Sequence, residues 1–265
     1  MIKVAVIGAR GRMGREVVKM VIDAENLELV SAIDRDMLGN DVGAVLFNQP
    51  CGVLIESELQ TSLARTGADV VVDFTDPNSV YSNACIAINN GTRPIIGATG
   101  LTNDQIVDLD NRCKEKGIGG LFAPNFSIGA ILMMKFAAEA AKYFPDVEII
   151  EFHGDQKLDA PSGTALKTAQ WISENREFKH QGNLKEEETL PGSRGGLFEG
   201  FRVHSVRLPG IFAQQEVIFA GNGQALKIRH DSYDRAGYMP GVKLAIEKVV
   251  GYTGFVYGFE HLIMS

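Results

Sequence analysis

The chain has 265 residues, of which 45% are hydrophobic and 22% are charged, and its formal net charge is -7. This composition supplies enough apolar material for one large domain or two modest ones, and it excludes a disordered or fibrous chain. The acidic balance gives the molecule no general positive field. We therefore expect neither nucleic acid nor a membrane as a partner, and any anionic ligand has to be held locally.

The cysteines and the amino terminus predict a reduced, unexported protein. Cys51, Cys85 and Cys113 are widely spaced, form no CxxC pair and have no histidine at metal-ligand spacing, so we expect free thiols and no metal site. The opening MIKVAVIGARG runs from an apolar strand directly into a glycine turn, and no later apolar run approaches the ~18 residues of a membrane span. These features predict a soluble, cytoplasmic protein.

The first half of the chain alternates predicted strands with predicted helices. Apolar, mostly β-branched runs predict strands at 3–8, 28–34, 69–75, 93–100 and 118–127. Helical patterns follow the first strand and recur at 78–90 and 102–117, the last ending at Gly117. Such alternation indicates an α/β domain with a Rossmann-like, doubly wound parallel sheet, in which ligands bind at the carboxyl ends of the strands.

The pattern changes after residue 126. A helix is predicted at 127–144, strands at 146–153 and 201–208, and a hairpin at 216–230 that turns at 221–223. These elements predict a second, α+β domain with apparently antiparallel strands. The charged, glycine-rich segment 176–196 is predicted to be a mobile surface loop, and residues 241–252 return to helix.

A glycine-rich turn follows the first predicted strand. Gly8, Gly11 and Gly14 form a GxxGxxG spacing, which is less common than GxGxxG but lies between a strand and a helix. Glycines there let a pyrophosphate approach the backbone amides at the positive end of the helix. Asp34, at the end of the second strand, can accept hydrogen bonds from ribose hydroxyls, whereas Arg35 could pair with a 2′-phosphate. The pattern predicts dinucleotide binding, with NADH or NADPH.

The segment EFHGDQKLDAPSGTALKTA, residues 151–169, contains the candidate chemical groups. His153 ends a strand, and histidine is a natural proton donor near neutral pH. Lys157 follows after a short turn, and Ser162 is a natural N-cap whose following amides, of Gly163 and Thr164, can bind a carboxylate or phosphate. Each feature alone is more often purely structural. Their convergence in a chain with a dinucleotide turn favours a catalytic site.

This segment, together with GARGRMG, DFTDP, GATG and APNFS, closely resembles the dihydrodipicolinate reductase family, the 4-hydroxy-tetrahydrodipicolinate reductases of bacterial lysine and diaminopimelate synthesis. The similarity spans nearly the whole chain. DQKLDAPSGTALKTA and HSVRLPG resemble the Bacillus-type enzymes in particular.

The resemblance implies two domains and a homotetramer. Residues 1–126 and 237–265 would bind the dinucleotide, and residues 127–236 would bind substrate and form the oligomer through a mixed, open-faced sheet. The implied cofactor contacts are Gly8, Ala9, Arg10, Gly11, Arg12, Met13, Asp34, Arg35, Gly97, Ala98, Thr99, Ala123, Pro124, Asn125 and Phe126. Arg235 is a further implied contact in a closed state, and Ala98 replaces a frequent threonine.

The resemblance also implies a reaction and its residues. A hydride would pass from the reduced nicotinamide to carbon 4 of a cyclic, unsaturated dicarboxylate, with loss of water and protonation of the resulting enamine. His153 would be the proton donor and Lys157 the catalytic lysine, and Ser162, Gly163 and Thr164 would bind a substrate carboxylate. The substrate is a dianion, which suits a lysine and a helix N-terminus acting together.

Gly154 departs from the family pattern, which usually has a second histidine at this position. Loss of one hydrogen bond to a charged group typically weakens binding by about 1.5–3 kcal/mol, and a water could replace part of it. Two alternatives therefore stay open: a related reductase of another cyclic imine, and a catalytically weakened dinucleotide-binding homologue. A semialdehyde dehydrogenase would need a nucleophilic cysteine, and a dinucleotide sensor would need a partner or DNA-binding module; neither is indicated.

Overall fold

A computed structural model describes residues 1–183 and 185–263. By their internal contacts these residues form two compact units. One comprises Met1–Phe126 together with the segment that begins at Tyr238, and the other comprises Ser127–Gly237. The amino-terminal part of the chain therefore shares a unit with the carboxyl-terminal part.

The first unit is built on a seven-stranded parallel sheet. Its strands in chain order are β1 (Ile2–Ile7), β2 (Leu27–Ile33), β3 (Ile55–Glu56), β4 (Val70–Asp73), β5 (Arg93–Ile96), β6 (Gly119–Phe122) and β12 (Gly254–Tyr257). Across the sheet they lie in the order β12-β6-β5-β4-β1-β2-β3, and every pair is parallel. The strands β2 and β3 lie on one side of β1, and β4, β5 and β6 lie on its other side, so the strand order reverses at β1. In such sheets, ligands bind at the carboxyl ends of the strands, near this point of reversal.

Helices cover both faces of this sheet. The helices of the first unit are α1 (Gly14–Asp23), α2 (Val42–Phe47), α3 (Leu59–Thr66), α4 (Val80–Asn89), α5 (Asn103–Lys116), α8 (Met239–Val249) and α9 (Phe259–Ile263). Ala5 and Ile7 of β1 pack in a cluster with residues of α3. Val4 and Val6, which alternate with them, are also fully buried, so the strand is covered on both sides.

Local chemistry explains several of the helix boundaries. The Thr102 side chain caps α5 by accepting a hydrogen bond from the Gln105 amide. The Gln105 side chain in turn accepts a hydrogen bond from the Thr102 amide, which completes a capping box. The same helix ends at Gly117 in the left-handed conformation, as the sequence predicts. The Rossmann-like part of the fold prediction is thus confirmed.

The second unit is built on a five-stranded mixed sheet. Its elements are α6 (Ile128–Ala141), β7 (Asp146–His153), α7 (Gly163–Glu174), β8 (Gly196–Phe198), β9 (Phe201–Arg207), β10 (Ala213–Gly221) and β11 (Gln224–Ser232), followed by a 3-10 turn at Arg235–Tyr238. The strand order is β11-β10-β7-β9-β8. Helices α6 and α7 pack on one face through a core that includes Val147, Ile149 and Phe219. An α/β fold with a second, mixed-sheet domain is the predicted class.

Some details differ from the sequence expectations. Strands β7 and β9 are parallel, not antiparallel. The long segment between them contains α7 and returns the chain to the end of the sheet at which β7 begins, so β9 runs in the same direction as β7. The first-unit elements α2, β3 and α3, the strand β8, and the carboxyl-terminal β12 and α9 were not predicted. Most of these are too short to show a clear period.

The segment 176–196, predicted to be a mobile loop, is held to the sheet near both of its ends. Lys179 pairs with Asp146 at 2.6 Å, and Arg194 pairs with Glu148 at 2.7 Å. The Gln181 side chain bonds to both the amide and the carbonyl of Val147. Residue 184 of this prediction lies outside the described part of the chain.

Candidate active site

The glycine turn after β1 is shaped by close backbone contacts. Gly8 has a φ of +71°, which favours glycine. A Cβ atom on Gly14 would lie 1.9 Å from the Gly8 carbonyl oxygen, and one on Gly11 would lie 3.1 Å from it. The N-cap residue of α1, Met13, makes no side-chain capping bond. In the first turn of α1, the Arg15 amide donates to the Gly11 carbonyl at 3.0 Å. A helix start without a capping side chain can bind an anion such as a dinucleotide pyrophosphate.

Asp34 lies at the carboxyl end of β2, beside this turn. Its carboxylate accepts hydrogen bonds from the Arg10 amide at 2.8 Å and from the Arg35 amide at 2.8 Å. These bonds fix both oxygens in place while leaving further lone pairs for ribose hydroxyls. The side chain of Arg35 is 85% exposed and lies 3.5 Å from Asp76.

A cavity of about 300 Å³ lies at these strand ends. Its polar lining includes Asp34, Arg35, Ser57, Thr75, Asp76 and Asn83. Asp73, at the end of β4, is buried, and burial raises the pKa of its carboxyl group, although Thr75 and Asn83 donate hydrogen bonds to it. The size and polarity of the cavity fit one nucleoside portion of a dinucleotide.

The other two predicted cofactor turns follow β5 and β6, so they lie at the carboxyl ends of the strands, as the glycine turn and Asp34 do. A Cβ atom on Gly97 would overlap the Phe74 ring, with 2.0 Å to the nearest ring carbon, so the backbone passes unusually close to that side chain. Ala98, Ala123 and Phe126 are buried. Their contribution to a bound dinucleotide would come from the backbone. The donor groups and close-packed turns thus fit a nicotinamide dinucleotide.

In the second unit, the predicted catalytic segment connects β7 to α7. His153 is the last residue of β7, and its neighbour in register on β9 is Arg207. The Lys157 amide donates to the Gly154 carbonyl at 3.1 Å, which closes a turn after the strand. Ser162 then caps α7 by accepting a hydrogen bond from the Ala165 amide at 3.2 Å. A Cβ atom on Gly163 would meet open space, so this helix start is accessible.

Glu151 lies beneath this segment and is fully buried. Its carboxylate accepts a hydrogen bond from His153 Nδ1 at 2.5 Å and hydrogen bonds from two nitrogens of the Arg207 guanidinium. Burial alone would raise the pKa of Glu151, but the hydrogen bonds from His153 and Arg207 outweigh it and lower the pKa to about 2. The carboxylate is therefore ionised at neutral pH.

Lys157 forms an ion pair with Asp159 across the turn, with 2.7 Å between Nζ and Oδ1. The hydrogen bond from Lys157 holds the pKa of Asp159 below its ordinary value. An ammonium group has three donors, so this pair leaves Lys157 with donors for an anionic ligand. His153, Lys157 and the α7 start thus come from one continuous segment of the second unit.

Sequence reasoning did not identify Glu151 or Arg207 as part of this site, although both lie in the quoted motifs. The signal was the position of Glu151 two residues before His153 on a strand, since such residues share a face. The roles of Ser57 and Asp76 at the cavity were also not predicted. Arg235, the additional predicted cofactor contact, has its guanidinium 5.5 Å from the centre of the Phe212 ring.

Within the described residues, no group of three histidine, cysteine or acidic side chains could hold a metal ion. In the same part of the chain, no helix is long and apolar enough to cross a membrane.

Comparison with known proteins covers almost the entire chain. Residues 2–126 match the family model for the dihydrodipicolinate reductase N-terminus, and residues 129–263 match the model for its C-terminus. The chain is 55% identical over 263 residues to 4-hydroxy-tetrahydrodipicolinate reductase of Halalkalibacterium halodurans, covering 99% of this chain and 100% of the relative. The corresponding enzyme of Bacillus licheniformis is 52% identical over 262 residues, covering 99% of this chain and 98% of the relative.

A solved structure is similar over the same extent. Dipicolinate-bound dihydrodipicolinate reductase from Paenisporosarcina sp. TG-14 superposes with a TM-score of 0.89 at 46% identity, covering 98% of this chain and 99% of that one. Reductases of this family are oxidoreductases that use NADH or NADPH. With both family models matched in sequence and the fold matched in structure, the chain belongs to the dihydrodipicolinate reductase family.

Proposed function

We propose that this protein reduces 4-hydroxy-tetrahydrodipicolinate to tetrahydrodipicolinate with NADH or NADPH, releasing water, as a step of lysine and diaminopimelate synthesis. The observation that carries this proposal is the segment 153–164, which presents an imidazole, an ammonium group and a helix start in a chain whose other unit has a dinucleotide-binding fold. We assign dinucleotide binding to the unit of residues 1–126 and 238 onward, and substrate binding to residues 127–237.

The first unit holds the cofactor. The amides of the Gly8–Met13 turn and the start of α1 bind the pyrophosphate, and Asp34 binds the adenosine ribose. The turns at 97–99 and 123–126 supply further backbone contacts. A bound reduced nicotinamide supplies the hydride of the reaction.

The second unit binds and orients the substrate. The Gly163 and Thr164 amides, with the Ser162 hydroxyl, take one carboxylate at the start of α7. Lys157 takes a second anionic group of the same ring with the donors that Asp159 does not use. Two fixed anchors orient a cyclic dianion, and this orientation lowers the entropic cost of the reaction.

His153 supplies the proton. Its Nδ1 atom is committed to Glu151, so Nε2 is the atom that donates to the enamine formed after reduction. The proton then comes from the imidazolium, and solvent restores it after product release.

Both cofactors are used. Asp34 favours the free ribose hydroxyls of NADH, while the exposed Arg35 side chain can pair with the 2′-phosphate of NADPH. We further propose that the protein is cytoplasmic and a homotetramer that associates through the face of the mixed sheet not covered by α6 and α7. Light scattering of the purified protein tests the tetramer, and a monomeric mass contradicts it.

Steady-state oxidation of each cofactor tests the reaction, with substrate generated in situ by the preceding synthase. We expect turnover with NADH and with NADPH. A planar substrate mimic, pyridine-2,6-dicarboxylate, should inhibit this turnover and raise the melting temperature of the cofactor-bound protein. A protein that binds NADH but neither turns over this substrate nor responds to the mimic would contradict the proposal.

A further inference from the structure

We propose that Glu151 and Arg207 form a positioning pair that sets the tautomer of His153 and anchors the loop carrying Lys157 and the start of α7. This inference rests on the proposed function, since it concerns how that site is held. It assigns no contact with substrate to either residue.

Glu151 places a carboxylate in a row of β7 residues that otherwise packs into the apolar core. Successive side chains of a strand alternate between its two faces, so Val147, Ile149, Glu151 and His153 all lie on one face of β7. This is the face that α6 and α7 cover. The first two are in the apolar core, and Glu151 continues this row with its side chain fully buried. A buried carboxylate is costly unless charged partners satisfy it, so an apolar residue would suit this place better if packing were its only role.

Each oxygen of the Glu151 carboxylate accepts at least two hydrogen bonds, and the Ser205 side chain also donates to this carboxylate. Oε2 accepts hydrogen bonds from His153 Nδ1 at 2.5 Å and from Arg207 Nη1 at 3.0 Å. Oε1 accepts hydrogen bonds from Arg207 Nη2 at 2.7 Å and from the backbone amide of Ser162 at 3.3 Å. The arginine contact is therefore bidentate, the geometry that fixes a carboxylate most firmly.

The same pair holds the loop between β7 and α7. Arg207 Nη2 donates to the Asp159 carbonyl at 2.8 Å, and Glu151 receives the Ser162 amide. These two attachments lie on the α7 side of Lys157, while His153 attaches the loop at its start. One carboxylate and one guanidinium thus contact His153 and the α7 start directly, and they hold the loop on the α7 side of Lys157.

The arrangement determines which ring nitrogen of His153 carries its proton in the neutral state. An ionised carboxylate only accepts hydrogen bonds, so Nδ1 must be the donor to Glu151. The proton of the imidazolium that is available for transfer is then on Nε2. A glutamine at position 151 could instead donate its amide to Nδ1 and stabilise the opposite tautomer, as replacement of the triad aspartate by asparagine does in serine proteases.

The test compares Glu151→Gln with a matched control on the same strand. Glu148 also pairs with a histidine and an arginine, His204 at 2.8 Å and Arg194 at 2.7 Å, but it lies on the opposite face. We expect Glu151→Gln to lower kcat by about 100-fold or more, with a smaller rise in KM. Glu148→Gln should leave kcat unchanged, Glu151→Asp should recover part of the loss, and all three variants should bind NADH as the wild type does.

Nitrogen-15 NMR of the histidine rings supplies a readout that a merely structural role would not move. In the wild type, the neutral His153 ring should carry its proton on Nδ1, with the signal assigned by its loss in His153→Gln. In Glu151→Gln the proton should shift to Nε2. A wild-type proton on Nε2, or a Glu151→Gln variant with wild-type kcat, would overturn the inference.

Failure of the positioning pair and failure of the proposed function give different results. If the wild type binds NADH but does not reduce the substrate, the function fails, while the wild-type tautomer still decides the positioning inference. If Glu151→Gln does not fold, Arg207→Lys replaces it, because lysine keeps the charge but loses the bidentate contact. That variant should lower kcat by about tenfold or more, and an unchanged kcat would contradict the proposed role of Arg207.

Discussion

At the scale of single residues, Gly154 directly follows His153, at a position where the resemblance described above implies a second histidine. An added Cβ atom would lie 3.2 Å from the Ile211 carbonyl oxygen, so a side chain fits after a small local adjustment. We predict that Gly154→His lowers KM for the dicarboxylate about tenfold with little change in kcat, since it adds one donor near a charged group.

Gly154→Ala is the control for this measurement. It adds only the Cβ atom, so it reports the cost of the Ile211 contact without a new donor. We expect its KM to equal or slightly exceed that of the wild type. An equal gain from alanine and histidine, or no gain from histidine, would show that a second histidine is not what this site lacks.

Arg35 should affect the binding of one cofactor only. Its guanidinium is exposed and lies 3.5 Å from Asp76, so a 2′-phosphate competes with that carboxylate. We predict that Arg35→Ala weakens NADPH binding about tenfold and leaves NADH binding unchanged, while Asp76→Asn tightens NADPH binding. Fluorescence titration of the two cofactors measures this. Equal losses for both would place Arg35 in a purely structural role.

Residue types at motif positions were predictable because the chemistry itself dictates them. Glycine at position 14 is required by the 1.9 Å approach to the Gly8 carbonyl, and this requirement shows in the sequence as a spaced glycine. Glu151 was not predicted to act, because its role depends on Arg207 from a strand more than fifty residues away. Pairings of that kind are set by register and not by local sequence.

At the scale of elements, the start of α7 combines stability with binding. Ser162→Ala removes the N-cap bond to the Ala165 amide, and Thr102→Ala removes the corresponding bond to the Gln105 amide in α5. Each should lower the free energy of unfolding by about 1 kcal/mol. Only Ser162→Ala should also weaken binding of pyridine-2,6-dicarboxylate, because only α7 is proposed to hold a substrate carboxylate.

Calorimetric unfolding and titration with the mimic check this pair of variants. If Thr102→Ala weakened mimic binding as much as Ser162→Ala does, the effect would be a general consequence of lost stability. Unchanged binding in Ser162→Ala would remove the Ser162 hydroxyl from the proposed carboxylate site.

Elements with a clear apolar run, a helical period or a cap were predicted, whereas β3 and β12 were not. The pattern of α5 and its capping residues is visible in the sequence, and the structure has this helix at Asn103–Lys116. Strand β3 has two residues and forms only through pairing with β2. Strand β12 pairs with β6 from the far end of the chain, so no neighbouring segment indicates its place.

At the scale of the whole molecule, buried ion pairs should make the stability depend on pH. The pKa of Glu151 is about 2 in the folded state, against 4.5 ordinarily. Its contribution, roughly 3 kcal/mol, is therefore present above about pH 4.5 and is lost as the pH falls toward 2. The pKa values of Glu148 and Asp159 are lowered as well, while burial raises that of Asp73 and opposes this trend.

Denaturant unfolding of the wild type and Glu151→Gln between about pH 7 and pH 3 measures this contribution. The wild type should lose more stability than the variant as the medium becomes acidic, so the gap between the two curves should narrow. Parallel curves would show that the buried partners of Glu151 do not lower the pKa of its carboxyl group.

The global architecture followed from alternating apolar strands and helices, and the structure has the predicted doubly wound sheet and the second mixed sheet. The parallel pairing of β7 with β9 did not follow, because strand direction depends on how a long connection returns.

In the proposed reaction, the protein transfers hydride from a nicotinamide cofactor to a cyclic dicarboxylate. One direct measurement is turnover with NADH deuterated at the transferable position of carbon 4, followed by mass spectrometry of the product. We predict that the deuterium appears in tetrahydrodipicolinate as substrate is consumed. Substrate left unreduced, or a product without label, while the protein binds NADH, would contradict the account.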